Sequence, residues 1–239
     1  MIVVHHLDNS RSQRVLWLLE ELAIPYEIKH YARDSKTMLA PPELRAIHPL
    51  GKAPVITDGS LVLAESGAIL EYLVDTYGGG RLKPAPGTPE RVQYLYWMHY
   101  AEGSVMTPLL FKLVFDVIET APMPFFVRPV AKGIASRTKS TFIQPQIELH
   151  LDFVEGELAK NEWFAGAEFT AADVAMSFPL EVAAGRAGLD RSRPKAMAFL
   201  DRVHARPAYR AALEKGGPFE VLKWRGRDRA WRTFPGRGA

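Results

Sequence analysis

The chain has 239 residues, 47% of them apolar and 24% charged, with a net charge of +3 and no cysteine. Its length allows one large or two modest soluble domains, and the lack of cysteine excludes disulfides, thiolate metal sites and cysteine nucleophiles. No apolar run approaches the roughly 18 residues of a membrane span, and Met1-Ile2-Val3-Val4-His5-His6 does not have the form of a signal peptide, so a cytoplasmic protein without a membrane partner is expected.

Ile2, Val3 and Val4 are β-branched and apolar and, with His5 and His6, predict a first strand over residues 2–6. Val15, Leu18, Leu19 and Leu22 then recur at helical spacing. Ser10 and Gln13 fit an S-x-x-Q capping box, which would start that helix at Ser10. Ala23-Ile24-Pro25 ends it. Tyr26 to Tyr31 alternates with period two, a second strand, and a unit this short implies parallel pairing with the first. A short helix is expected near 42–47.

The stretch from His48 to Leu70 carries the most information. Val55-Ile56-Thr57 and Leu61-Val62-Leu63 flank Asp58-Gly59-Ser60, a hairpin signal. Pro54 belongs at the first residue of a strand or at a sheet edge, since it cannot donate to a ladder. A turn there, with a cis Pro54, would free the Val55 amide and carbonyl for an outside partner. Glu65-Ser66-Gly67 leads into a helix whose free N–H groups favour a carboxylate. Ile69, not Glu or Gln, stands three residues after Ser66, so no reciprocal box closes that end. Lys52 adds a cation. The unit suits an extended peptide bearing carboxylates.

Gly78-Gly79-Gly80 and the proline-rich run to Pro89 form a breaker-rich linker. Two domains are expected, at 1–80 and 90–239. Beyond the linker no strand is predicted. One long helix is expected over 90–119, bent near Pro108, then one or two over 125–159 interrupted by Pro129 and Pro145. Three more are expected from Thr170, Pro194 and Ala208. Thr170 and Asp173 form an aspartate version of the capping box, with Phe169 and Val174 as a hydrophobic staple. This gives Asp173 a structural role, not a catalytic one.

The order β-α-β-(α)-β-β-α followed by helices, with a proline before an edge strand, resembles the cytosolic glutathione transferases over nearly the whole chain, to about residue 215. The motifs are Leu7-Asp8-Asn9-Ser10-Arg11-Ser12, Ala40-Pro41-Pro42-Glu43-Leu44, His48-Pro49-Leu50-Gly51-Lys52-Ala53-Pro54-Val55, Ala64-Glu65-Ser66-Gly67-Ala68-Ile69 and Phe169-Thr170-Ala171-Ala172-Asp173. Each is weak alone; in order and at family spacing they are specific. The chain is most similar to bacterial and fungal members with serine in the first loop. The resemblance implies an α/β thioredoxin-like domain followed by an all-α domain, in a homodimer.

It also implies glutathione as cosubstrate and a small hydrophobic electrophile as second substrate, with peroxide or disulfide reduction as accompanying activities. Glu65 and Ser66 would hold the γ-glutamyl end, Val55 next to cis Pro54 the cysteinyl part, and Lys52, with His48 beside it, the glycyl carboxylate. Ser10 would face the sulfur, with Asn9, Arg11 and Ser12 as competitors. Tyr96, Tyr100, Met106, Phe111 and Phe115 are candidates for the electrophile pocket, although an aromatic stripe at helical spacing also suits a core. A non-catalytic interaction module with the same fold is the alternative. His5-His6 has no third ligand at usable sequence spacing, so no metal is expected. The basic, aromatic tail from Lys223 to Arg237 has a composition that suits single-stranded nucleic acid, but it is read as an extension folded over the domain, so no nucleic-acid partner is expected.

Overall fold

A computed structural model describes residues 1–34, 39–217 and 219. The basic tail therefore lies outside the described residues. The order is β1 (Ile2–Leu7), α1 (Ser12–Leu22), β2 (Tyr26–Tyr31), α2 (Pro42–Ile47), β3 (Val55–Asp58), β4 (Leu61–Ala64) and α3 (Ser66–Tyr77), followed by helices alone. These are α4 (Pro89–Tyr100), α5 (Met106–Thr120), α6 (Arg128–Thr138), α7 (Gln144–Lys160), α8 (Ala171–Arg186), α9 (Pro194–Ala205) and α10 (Pro207–Gly216).

The sheet runs β2-β1-β3-β4. β1 and β2 are parallel, with Ile2 opposite Tyr26, while β1–β3 and β3–β4 are antiparallel. β3 is therefore interior, and the expectation that Pro54 precedes an edge strand is corrected. Pro54 stands immediately before the first residue of β3, where no ladder N–H is lost, and the Ala53–Pro54 peptide is cis.

The expected helix over 90–119 is interrupted, but not at Pro108. A π turn at Ala101–Val105 separates α4 from α5, and another at Lys139–Ile143 separates α6 from α7. Pro108 and Pro145 each lack the N–H that would bond the carbonyl four residues earlier, Ser104 and Thr141, and each of those lies inside a π turn. The missing donor widens the helix one turn before the proline.

One buried cluster joins the sheet side and the helical side: Val4, Leu16, Trp17 and Leu70 belong to it with Trp97, Val174, Phe199 and Tyr209. Trp17 of α1 meets Tyr209 edge-on, with ring centroids 5.1 Å apart, and Phe169 at 5.6 Å. At the start of α8, Asp173 is fully buried and accepts the N–H groups of Phe164 and Thr170 at 2.8 Å each and the Thr170 hydroxyl at 3.1 Å. Burial pushes its carboxyl up to about 6, against the pull of those donors.

Replacing Asp173 strands two buried amides, so Asp173→Ala should lower unfolding stability by about 3 kcal/mol. Chemical denaturation of the purified variant measures this; a loss below about 1 kcal/mol would show that the box is not a structural anchor.

Candidate functional site

Two clefts of about 230 Å³ each lie side by side at the ends of β1 and β3. Arg11, Lys52 and Ala53 line both. The first also takes Asn9, Ser10, Arg33 and, from the helical side, Phe178. The second takes His48, Pro54, Glu65, Ser66 and Glu102. The sequence candidates Ser10, Lys52, His48, Pro54, Glu65 and Ser66 thus share one composite groove.

Local chain geometry places each of them. Asn9 adopts the left-handed region, with φ 53°, which asparagine tolerates better than most residues. The Arg33 guanidinium donates to the Asp8 carbonyl at 3.0 Å and to that of Asn9 at 3.4 Å, fixing the loop before α1. The expected Ser10–Gln13 capping box does not form. α1 begins at Ser12, and the Ser10 hydroxyl accepts the Ser12 N–H at 3.2 Å, while the Gln13 N–H bonds the Ser10 carbonyl instead. Ser10 thus stands outside the helix, holds its first N–H and lines the cleft.

Glu65 immediately precedes α3 at φ 72°, ψ 123°, without a side-chain cap bond. A non-glycine residue held there is strained, and such strain concentrates where a site needs a particular backbone direction. The first N–H groups of α3, from Ser66 onward, have no partner inside their own helix. His48 stands at the end of α2 with its buried Nδ1 unpaired among the described residues.

Val55 departs from expectation. It is fully buried, sits between His5 of β1 and Ala64 of β4, and lines neither cleft. Since β3 is interior, Val55 is flanked by strands on both sides, and the groove is lined in this stretch by Lys52, Ala53 and Pro54 instead.

A family model described as "Glutathione S-transferase, N-terminal domain" matches residues 1–75, and "Glutathione S-transferase, C-terminal domain" matches residues 116–207. The chain is 42% identical over 217 residues to glutathione S-transferase 3 of Schizosaccharomyces pombe, covering 90% of this chain and 88% of the relative. The chain belongs to the glutathione S-transferase family. It is also 33% identical to glutathione S-transferase 1 of Saccharomyces cerevisiae, over 90% of this chain and 95% of that one. A crystal structure of a glutathione S-transferase from Actinobacillus pleuropneumoniae superposes with a TM-score of 0.76 at 34% identity, covering 92% of this chain and 95% of the other.

Within this transferase fold, the helical side reaches the groove through residues that sequence patterns did not single out. Glu102, in the first π turn, pairs with the buried Arg14 and lies 3.1 Å from Arg11 Nε, the latter contact lacking hydrogen-bond alignment. Burial opposes ionisation of Glu102, but Arg14 and Arg11 outweigh it and hold the carboxyl below its ordinary range. Arg14 also donates to the Ala175 carbonyl at 2.7 Å and, like Arg11, lies 5.3 Å from the Phe178 ring. The signal available in the sequence was an acid among the apolar residues 101–111.

The expected pocket residues sit elsewhere. Tyr100 and Met106 are buried in the core, and the Tyr100 hydroxyl meets His150 Nδ1 at 2.5 Å. Phe111 is 44% exposed and lines neither cleft. Helical spacing placed them on a helix without revealing which way that helix faced.

His6, Asp8 and His30 bring potential ligand atoms within 4.8 Å of one another. Sequence spacing hid the third member, because parallel pairing of β1 with β2 sets His30 beside His6. The His6 Nδ1 is engaged at 2.9 Å by the Ser12 hydroxyl.

Removing the partner of a buried guanidinium leaves an uncompensated charge. Glu102→Gln should therefore cost about 2–4 kcal/mol of stability. Thermal and urea unfolding test this, and an unchanged midpoint would show Arg14 to be satisfied without Glu102.

Proposed function

We propose that this chain is a glutathione transferase that adds the glutathione thiolate to small hydrophobic electrophiles. The observation that carries this reading is the convergence of Ser10, Lys52, His48, Glu65 and Ser66 on adjoining clefts whose shared wall is Arg11, Lys52 and Ala53. Glutathione is an extended peptide with a carboxylate at each end. Its γ-glutamyl end fits Glu65, which can accept from the ammonium, and the α3 N-terminus, which favours the carboxylate. The glycyl carboxylate fits Lys52, with His48 beside it. The cysteinyl backbone runs past Ala53, and the sulfur faces Ser10.

A free thiol has a pKa near 8.5. Lowering it by about two units needs roughly 2.7 kcal/mol of preferential stabilisation of the anion. A buried hydroxyl and the amides opening α1 supply interactions of that kind. The remaining acceleration comes from holding thiolate and electrophile together, with the electrophile entering beside Phe178. Peroxide or disulfide reduction would use the same thiolate. The working form in this reading is a cytoplasmic homodimer, and exposed Val92, Leu95 and Tyr96 of α4 with Leu149 and Phe153 of α7 offer the apolar surface two copies would share.

Retention on immobilised glutathione, together with turnover of an aromatic halide such as chlorodinitrobenzene, tests the function; failure of both would refute it in favour of a non-catalytic module. Glu65→Gly should relieve the backbone strain and raise stability by about 1 kcal/mol, while raising the glutathione KM by tenfold or more. A variant losing both stability and affinity would contradict the assignment of that strain to ligand binding.

A further inference from the structure

The two clefts differ in charge. Arg11, Arg33 and Lys52 line the one that holds Ser10, and no aspartate or glutamate does. Glu65 and Glu102 stand on the walls of the other. A cleft walled by one sign of charge attracts the opposite sign. Two of the three cations have other work. The Arg33 guanidinium donates to the carbonyls of Asp8 and Asn9, and Lys52 is assigned to the glycyl carboxylate. The third is Arg11, which lines both clefts and so stands where they meet.

Among the described residues Arg11 has its ion pair with Glu102, and that carboxylate is shared. Arg14, buried and fixed to the Ala175 carbonyl at 2.7 Å, takes Glu102 Oε1 in a hydrogen bond. Arg11 Nε lies 3.1 Å from Oε2 without alignment, and this buried atom makes no hydrogen bond. One negative charge cannot neutralise two guanidiniums. Glu181, the other acid near Arg14, is held by His204 and Tyr209. Arg186 of α8 adds a further cation on that side, its charge disfavoured by burial and by Arg11 against the pull of Asp116. Arg11 therefore keeps an uncompensated charge, and a guanidinium does not lose its proton in a protein. The Phe178 ring, 5.3 Å from Arg11 Cζ, gives that charge a face to rest against.

Ser10 brings no such charge. Its hydroxyl lies 2.7 Å from Ser12 Oγ, with either oxygen able to donate, and it accepts the Ser12 N–H. A neutral hydroxyl engaged in this way stabilises an anion less than a cation beside it does. We propose that Arg11 is a catalytic residue whose guanidinium contacts the sulfur of bound glutathione and supplies the positive charge that holds it as thiolate. The proposal rests on the reading that glutathione binds with its sulfur at Ser10. In the step, the S–H bond breaks, its proton passes to solvent water, and the electron pair stays on the sulfur facing the guanidinium. Glu102 and Phe178 act through Arg11 and are positioning residues. The carboxylate holds one edge of the guanidinium without cancelling its charge, because Arg14 has the aligned share.

The test uses the full chain with glutathione as the probe. Thiolate ultraviolet absorbance against pH gives the titration of the bound thiol, read beside kcat against pH, the glutathione KM and the melting temperature. Arg11→Gln removes the charge and leaves Glu102 paired with Arg14. It should raise the bound-thiol pKa by about one unit or more. At about pH 5.5, below both titrations, that is roughly a tenfold loss of thiolate and of kcat. Above about pH 9 the thiol ionises unaided, and kcat should return to the parent value. The KM should stay within about threefold of the parent, since Lys52, Glu65 and Ser66 still hold the ends of the peptide. Arg11→Lys keeps a charge and should shift the titration by less than half as much. Equal shifts in Arg11→Lys and Arg11→Gln would trace the effect to lost packing and overturn the proposal. If Ser10→Ala shifts the titration while Arg11→Gln titrates like the parent, the proposal is overturned and the glutathione reading stands. If neither variant shifts it, or the parent does not bind glutathione, both fall. Arg11→Met, which keeps an unbranched stem beside Phe178, decides the question should Arg11→Gln not fold.

Discussion

The Arg14 guanidinium is the tie on which the arrangement depends. It is buried, it pairs with Glu102 of the first π turn, and it donates to the Ala175 carbonyl inside α8. One side chain of α1 therefore clasps two separate parts of the helical region. A buried guanidinium is costly to leave unpaired, so α1 has one acceptable position against its neighbours. The loop that carries Ser10 ends where α1 begins, and its own position follows. The π turn is part of the same constraint, since widening the helix at Ala101–Val105 accompanies the delivery of Glu102 to Arg11 and Arg14.

Labour is divided along the groove. The stretch from His48 to Ser66 offers complementary charge and backbone to an extended ligand, with a cation, an orphaned imidazole nitrogen and a helix N-terminus. The loop from Asn9 to Ser12 brings the Ser10 hydroxyl to the groove, 2.7 Å from Ser12 Oγ. The helical side contributes Phe178 and Glu102, so the opposite wall of the groove is drawn from α8 and the π turn.

Much of the framework was legible in the sequence because its signals are local. Val15, Leu18, Leu19 and Leu22 marked α1, Asp58-Gly59 marked the hairpin, and Thr170 with Asp173 marked the start of α8. Most proposed ligand residues were legible for the same reason, since they lie at element ends where turn chemistry is specific. What was not legible depends on direction and on neighbours distant in the chain. Ser10 looked like a cap because S-x-x-Q is a local pattern, but the loop geometry at Asn9 moved the helix start to Ser12. Val55 looked available because strand order cannot be read from one strand. Tyr100, Met106 and Phe111 were placed on helices, yet which face met the groove was fixed by Arg14, Glu102 and Ala175, far apart in sequence. His30 beside His6 follows only from the parallel register.

The continuity of the core has a consequence for inheritance and for folding alike. Trp17 rests on Phe169 and Tyr209, so the sheet-side helix that precedes half of the groove is completed by residues from the far end of the chain. Neither part can bury its own apolar surface alone. The two halves should melt as one cooperative unit, and recombination that exchanged one half for that of a distant relative would have to carry matching residues across this seam. The groove is then the common property of both parts, and change in its helical wall is limited by what the shared core can absorb.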